Sequence, residues 1–148
     1  MDLNAEPNRD VPMWSETRWN GCWNPYEGVG LYTHMGRFRQ DLEMWWAQTV
    51  AYLPGGRLAV DRSWGRTSDR ESVRTGTFEL RMTESGWSSR FDGVCELTST
   101  ESLARAPRGS AAPSVPVRWE VGAQPCSPVW DLYAGLDDKQ DFAGDTHI

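Results

Sequence analysis

Apolar and polar residues alternate with a period of two through most of this chain, the pattern of half-buried β-strands. Residues 41–66 carry it over the greatest length, as two arms around Pro54-Gly55-Gly56. After the turn, Leu58, Val60, Arg62 and Trp64 alternate with Ala59, Asp61 and Ser63. Before it, Leu42, Met44, Trp46, Val50 and Tyr52 point one way, with Gln48 the polar exception. Glu43, Trp45, Ala47, Thr49, Ala51 and Leu53 point the other way. The same arm also fits a helix, with Asp41 as N-cap and a stripe of Leu42, Trp45, Trp46, Thr49 and Leu53. The strand is preferred, because adjacent Trp with Thr, Val and Tyr suit a pleated surface and the glycine turn leads straight into a second arm.

Further arms flank this hairpin. Residues 14–23 read as extended, and Asn24-Pro25 opens a turn that closes through Glu27-Gly28. Residues 30–39 form the next arm, with Gly36 as a bulge or close-approach point. Residues 67–74 are polar and read as a loop. The clearest hairpin pairs Phe78, Leu80 and Met82 with Trp87, Ser89, Phe91, Gly93, Cys95 and Leu97 around Glu84-Ser85-Gly86. Residues 98–114 read as loop with one helical turn at 100–105. Val115, Val117, Trp119 and Val121 make a last strand, which Pro116 puts at an edge. About seven short strands with little helix imply an antiparallel barrel or sandwich, and the fold expected is an all-β barrel or half-barrel. The expected organisation is an irregular lead-in at 1–13, a β-domain at 14–124, and a connecting segment at 125–148.

Charge and composition narrow the function. The formal net charge is −6 and the pI about 4.9, which argues against nucleic acid as the main partner. Lys139 is the only lysine. Arg57, Arg62, Arg66, Arg70, Arg74 and Arg81 form a basic run, expected to be a solvated face paired with Asp61, Asp69 and Glu71. No run of about 18 apolar residues exists, so no membrane span is expected. Residues 1–13 lack the apolar region of a signal peptide. Cys22, Cys95 and Cys126 are odd in number and lack metal-ligand spacing, which fits reduced thiols in a cytoplasmic protein. A zinc site from these cysteines and His34 would need widely scattered ligands. Nine tryptophans exceed what a core this small needs, so two readings stand: core filling, or the wall of a ligand cavity.

The turn glycines and tryptophans carry a resemblance. The order is Trp14-x-Glu16, Asn24-Pro25-x-x-Gly28-x-Gly30, Gly36-Arg37, Trp45, Leu53-Pro54-x-Gly56-Arg57, Trp87-x-x-x-Phe91-x-Gly93 and Pro128-Val129-Trp130-Asp131. A terminal stretch from Gln140 to His147 follows. This order resembles the first half of a group of uncharacterised bacterial two-domain proteins. They are related to carotenoid 1,2-hydratase (hydroxyneurosporene synthase) and to the AttH-like proteins. The resemblance implies a pair of lipocalin-like β-domains with an apolar cavity at or near their junction. It implies cofactor-free chemistry: water addition to an isoprenoid alkene, or guided cyclisation of a polyene. The chain stops where the second β-domain of that family would begin, so it is expected to be a fragment or to be completed by a second β-domain or by a second copy in a homodimer. No catalytic residue of the family maps onto this sequence.

The residues themselves offer candidates. Asp131 sits among Val129, Trp130, Leu132 and Tyr133, and burial there would raise its pKa and make it a proton donor. The alternative is a carboxylate that caps a turn. His147 is a second candidate, from the stretch that resembles the inter-domain junction. Trp45, Trp46, Trp64, Trp87, Trp119, Trp130 and Tyr133 are the expected wall for a hydrophobic small molecule. Glu16 and Glu43 are expected in rim or surface ion pairs, and His34 is expected to be solvated. The leading expectation is an apolar-ligand domain of a hydratase-, cyclase- or isomerase-like enzyme, acting on an isoprenoid, steroid or polycyclic lipid. A non-catalytic carrier or sensor is the alternative. A carbohydrate-binding module is a third, which predicts tryptophans exposed in a row on one sheet face; the two-faced pattern at Trp45-Trp46 speaks against it. Trp130, Leu132, Tyr133 and Phe142 lack a periodic strand to bury them and are expected at a pairing surface.

Overall fold

The computed structural model describes residues 14–38, 40–105 and 112–128. Among them, eight strands form a single antiparallel sheet: β1 (Ser15–Asn24), β2 (Val29–Phe38), β3 (Asp41–Leu53), β4 (Arg57–Arg66), β5 (Ser72–Arg74), β6 (Phe78–Thr83), β7 (Gly86–Ser99) and β8 (Ser114–Ala123). One short helix, α1 (Thr100–Arg105), follows β7. The sheet curls into a half-barrel, so the chain is all-β as the alternation requires. Residues 41–53 are a strand and not a helix, because β3 is hydrogen-bonded on both edges, to β2 and β4. Residues 67–74, read as loop, contain β5, which holds its place by pairing with β6.

Local chemistry sets the turns. Asn24 Oδ1 accepts the backbone N–H groups of Tyr26 and Glu27 at 3.0 and 3.3 Å, which bends the chain from β1 into β2. Gly55 and Gly56 sit at φ of 77° and 72°, the left-handed region where a β-carbon is penalised, and there they reverse β3 into β4.

β7 is the hub. One of its edges is divided: residues 86–91 pair with β6, and residues 96–99 pair with residues 57–60 of β4. The opposite edge pairs with β8 along residues 87–96. This branching folds β5–β8 over β1–β4, and the inward faces share one core. Trp45, Met35, Val73, Phe78, Phe91 and Cys95 are essentially inaccessible within it. Small side chains on one half admit large ones from the other: Ala47, Ala51 and Ala59 share the cluster with Phe78 and Phe91, against which Trp119 packs. Trp119 stacks on the Phe91 ring at 6.0 Å.

The basic run pairs differently from the expectation. Arg66 bonds Asp41 and Glu43, and Arg74 and Arg81 both bond Glu79. Asp61, expected as a partner for the arginines, has inward parity on β4 and accepts a hydrogen bond from Thr77 instead.

Candidate functional site

The candidate tryptophans divide between two sides of the sheet. Trp45, Trp87 and Trp119 have inward parity; Trp45 is fully buried, and the other two pack against the core. Trp46 and Trp64 are cross-strand partners on the outward side. The expected single wall is therefore not assembled from these five. Trp130, Tyr133, Asp131 and His147 lie outside the described residues, as do Leu132 and Phe142.

The outward side of β1–β4 carries an aromatic surface laid out by strand register. One row reads Trp23, Gly30, Tyr52, Leu58; the next reads Gly21, Tyr32, Val50, Val60, and of these Leu58 and Val50 are buried, so exposed area comes from the residues around them. Then come Trp19, His34, Gln48, Arg62, and last Thr17, Gly36, Trp46, Trp64. The two β2 glycines explain how the rings lie. A β-carbon at Gly30 would stand 2.5 Å from Trp23 Cε3, and one at Gly36 would stand 2.7 Å from Trp46 Cζ2. The glycines thus leave space that indole rings from both flanking strands occupy, and Tyr52 leans over Gly30 from the other side. Trp19 and Trp23 remain 60% exposed and Trp64 62% exposed. From Trp23 to Trp64 the surface spans three strand spacings and six residues of register, about 24 Å.

Polar groups are interleaved with these rings. His34, Gln48 and Arg62 are consecutive cross-strand partners, and none makes a side-chain hydrogen bond or ion pair among the described residues. The His34 and Trp46 ring centroids lie 4.9 Å apart in a T-shaped arrangement, so this histidine packs against an aromatic neighbour and is not merely solvated. Trp46 Nε1 is buried without a hydrogen-bond partner, as are those of Trp45 and Trp119. The Trp46 ring is thus partly covered, with its donor turned from solvent. Sequence reasoning missed Trp19 and Trp23 here; their spacing of four on one strand was the available signal.

The inward polar groups satisfy one another. Thr77 Oγ1 lies 2.6 Å from Asp61 Oδ2 and 2.8 Å from Ser63 Oγ, and Ser63 Oγ lies 2.7 Å from Thr75 Oγ1. An ionised carboxylate only accepts, so Thr77 donates to Asp61 and the Ser63 hydroxyl donates to Thr77. Near the start of β1, Arg37 is buried and bonds Glu16 Oε2 from Nε at 2.8 Å and the Leu42 carbonyl at 2.9 Å. Its guanidinium lies over the rings of Trp14 and Trp45. Glu16 also accepts from Arg18, and Glu43 is the exposed partner of Arg66. These carboxylates hold structural pairs. Between the described strands, the gap bounded by Leu31, Trp87, Trp119 and Val121 measures about 10 Å³.

The outward side of β6–β8 is charged instead. Glu79 is the centre, its pKa lowered chiefly by the Arg74 hydrogen bond and further by Arg81. A polar cleft of about 220 Å³ lies beside it, lined in part by Arg74, Arg90 and Asp92. Both guanidinium groups there face carboxylates, so the cleft is close to charge-balanced. Cys95 is buried on β7, and that burial, with the Asp61 charge, pushes its thiol up to about 11. Cys22 and Cys126 are exposed free thiols. Among the described residues, no three His, Cys, Asp or Glu side chains gather into a metal-holding group, and no helix is long and apolar enough to cross a membrane. Comparison of the chain with protein-family models, curated proteins and solved structures finds no match, so the aromatic face is interpreted from its own geometry.

Proposed function

We propose that this domain is a carbohydrate-binding module whose ligand lies across the outward face of β1–β4. The observation that carries this reading is the pair of β2 glycines under flanking aromatic rings, with Trp19, Trp23 and Trp64 left mostly exposed. A sugar ring presents an apolar C–H face to an indole and hydroxyls at its edge. Trp23, Tyr52 and Trp64 supply the first kind of contact, and His34, Gln48 and Arg62 supply donors and acceptors for the second. A surface about 24 Å long accommodates an extended chain of several sugars.

An isoprenoid, steroid or polycyclic lipid, whether turned over or only carried, asks for a hollow of roughly 300–1,000 Å³. The gap of about 10 Å³ between Leu31 and Trp119 and the polar, charge-lined cleft of about 220 Å³ support that reading less well than the open face supports a glycan. A second β-domain or a second copy competes for the same apolar surface.

Electrophoresis through gels containing neutral and acidic polysaccharides tests the proposal. At least one polymer should retard the protein, and Trp23→Ala or Trp64→Ala should weaken that retardation about tenfold or more with an unchanged melting temperature. Retardation by no polysaccharide sinks the reading. A dimer in light scattering that Trp64→Ala dissociates would give the face to a protein partner.

A further inference from the structure

We infer that the glycan is anionic, with a carboxylate or sulfate ester on its sugars that meets Arg62; this rests on the carbohydrate reading above. The four outward rows of β1–β4 hold no Asp or Glu at any position, although the whole chain carries a formal charge of −6. Their only ionisable groups of the basic kind are His34 and Arg62, both in the row that runs between the aromatic ones. Arg62 is exposed and has no ion pair or hydrogen bond among the described residues. Three others of the basic run are held by carboxylates, Arg57 bonds the Pro54 carbonyl, and Arg70, likewise without a bond among the described residues, lies off this face between β4 and β5. Arg66 is tied to Asp41 and Glu43, Arg74 and Arg81 to Glu79. Arg62 is thus the guanidinium left open on this face, and it stands next to Trp64 in sequence register and opposite Gln48 across the ladder.

A guanidinium fork matches two coplanar oxygens, and it keeps its charge at all accessible pH. A neutral glycan would leave this fork to water. An anionic one places its charged group on Arg62 while an adjacent ring stacks on the exposed Trp64. A single open guanidinium among neutral side chains also separates this face from one that tracks a nucleic-acid backbone, which needs several phosphate contacts.

The test uses the whole chain and four soluble probes: polygalacturonate, its carboxyl-reduced neutral form, chondroitin sulfate, and its desulfated form. Polygalacturonate or chondroitin sulfate should bind at least tenfold tighter than the matching neutralised polymer, or desulfated polymer, with affinity falling as salt rises. Loss on carboxyl reduction identifies a uronate; loss on desulfation identifies a sulfate ester. Arg62→Gln should remove that preference and leave weak binding of the neutral form, whereas Arg81→Gln, on the other half, should not. Equal binding of charged and neutral forms overturns the inference and leaves the carbohydrate reading intact. Tighter binding of a single-stranded oligonucleotide overturns it as well. Binding of none of the probes, nor of any polysaccharide in the wider panel, removes both.

Discussion

The two halves of the sheet share one interior and present opposite exteriors. Outward from β1–β4 lie Trp19, Trp23, Trp46, Tyr52 and Trp64 around a row of unbonded polar side chains. Outward from β6–β8 lie Glu79, Arg81, Arg90, Asp92 and Arg118, cross-linked by ion pairs. A strand face that only meets water needs no more than the second kind, since exposed pairs keep it soluble at little gain in stability. The first kind leaves large rings wet, a state that folding does not require. That difference is why the ligand proposal rests on β1–β4 and not on β6–β8.

The largest expected effect compares one residue type across the sheet. Trp45→Ala opens the common interior and should cost about 3–5 kcal/mol in urea unfolding. Trp64→Ala, on the outward side of the neighbouring strand, should cost under about 1 kcal/mol. Equal costs would mean that Trp64 is part of the core and would break the distinction between faces.

Glycines sharpen the contrast next. Gly36→Ala places a methyl against Trp46 and the Glu16 carbonyl, and should cost about 1–3 kcal/mol. Gly122, outward on β8, has nothing within 4 Å of the point where a methyl would stand, so Gly122→Ala should be neutral within about 0.5 kcal/mol. Thermal melts of the two variants check this directly.

Much of this arrangement is legible in the sequence. Period-two alternation in residues 41–66 and 78–97 locates β3, β4, β6 and β7, and puts Trp45 and Trp46 on opposite faces. It does not say which face is inside, because that depends on which half folds over which. The short Ser72-Val73-Arg74 strand has no period of its own and exists only through Arg81, Leu80 and Glu79 opposite it. Asp61 reads in sequence as a counter-ion for arginines; β4 register turns it inward to Thr77. Glu79 as an arginine centre depends on Arg74 and Arg81 approaching from two sides, which spacing alone does not announce. The five described tryptophans of the expected wall do not share a face, because alternation separates residues that are neighbours in composition.

Acid titration probes the charged half. Arg74 and Arg81 hold the Glu79 pKa below its ordinary value, so the pair contributes stability above the unfolded carboxyl pKa and loses it as pH falls through the folded one. The effect should stay within about 1 kcal/mol, because the arginines are solvated. Glu79→Gln should flatten that part of the acid profile, while Trp64→Ala leaves it unchanged.

The smallest effect concerns thiols and has no energetic cost. Iodoacetamide should label Cys22 and Cys126 in the native protein and reach Cys95 only on unfolding, as mass spectrometry of timed aliquots would show. Native labelling of Cys95 at the rate of Cys22 would mean that the interior opens.

The divided edge of β7 has a kinetic consequence. β1–β4 is a succession of hairpins whose partners are near in sequence, and such ladders close in microseconds. In the strand ladder the halves are joined by four residue pairs, Arg57 with Ser99 through Val60 with Glu96, each bridging a long stretch of chain. Closing that seam carries a large loop entropy, so it is expected to be the slow step of folding. Until it closes, the free edges of β4 and β7 are open templates for another chain, and the seam sets how long each new molecule remains exposed to aggregation.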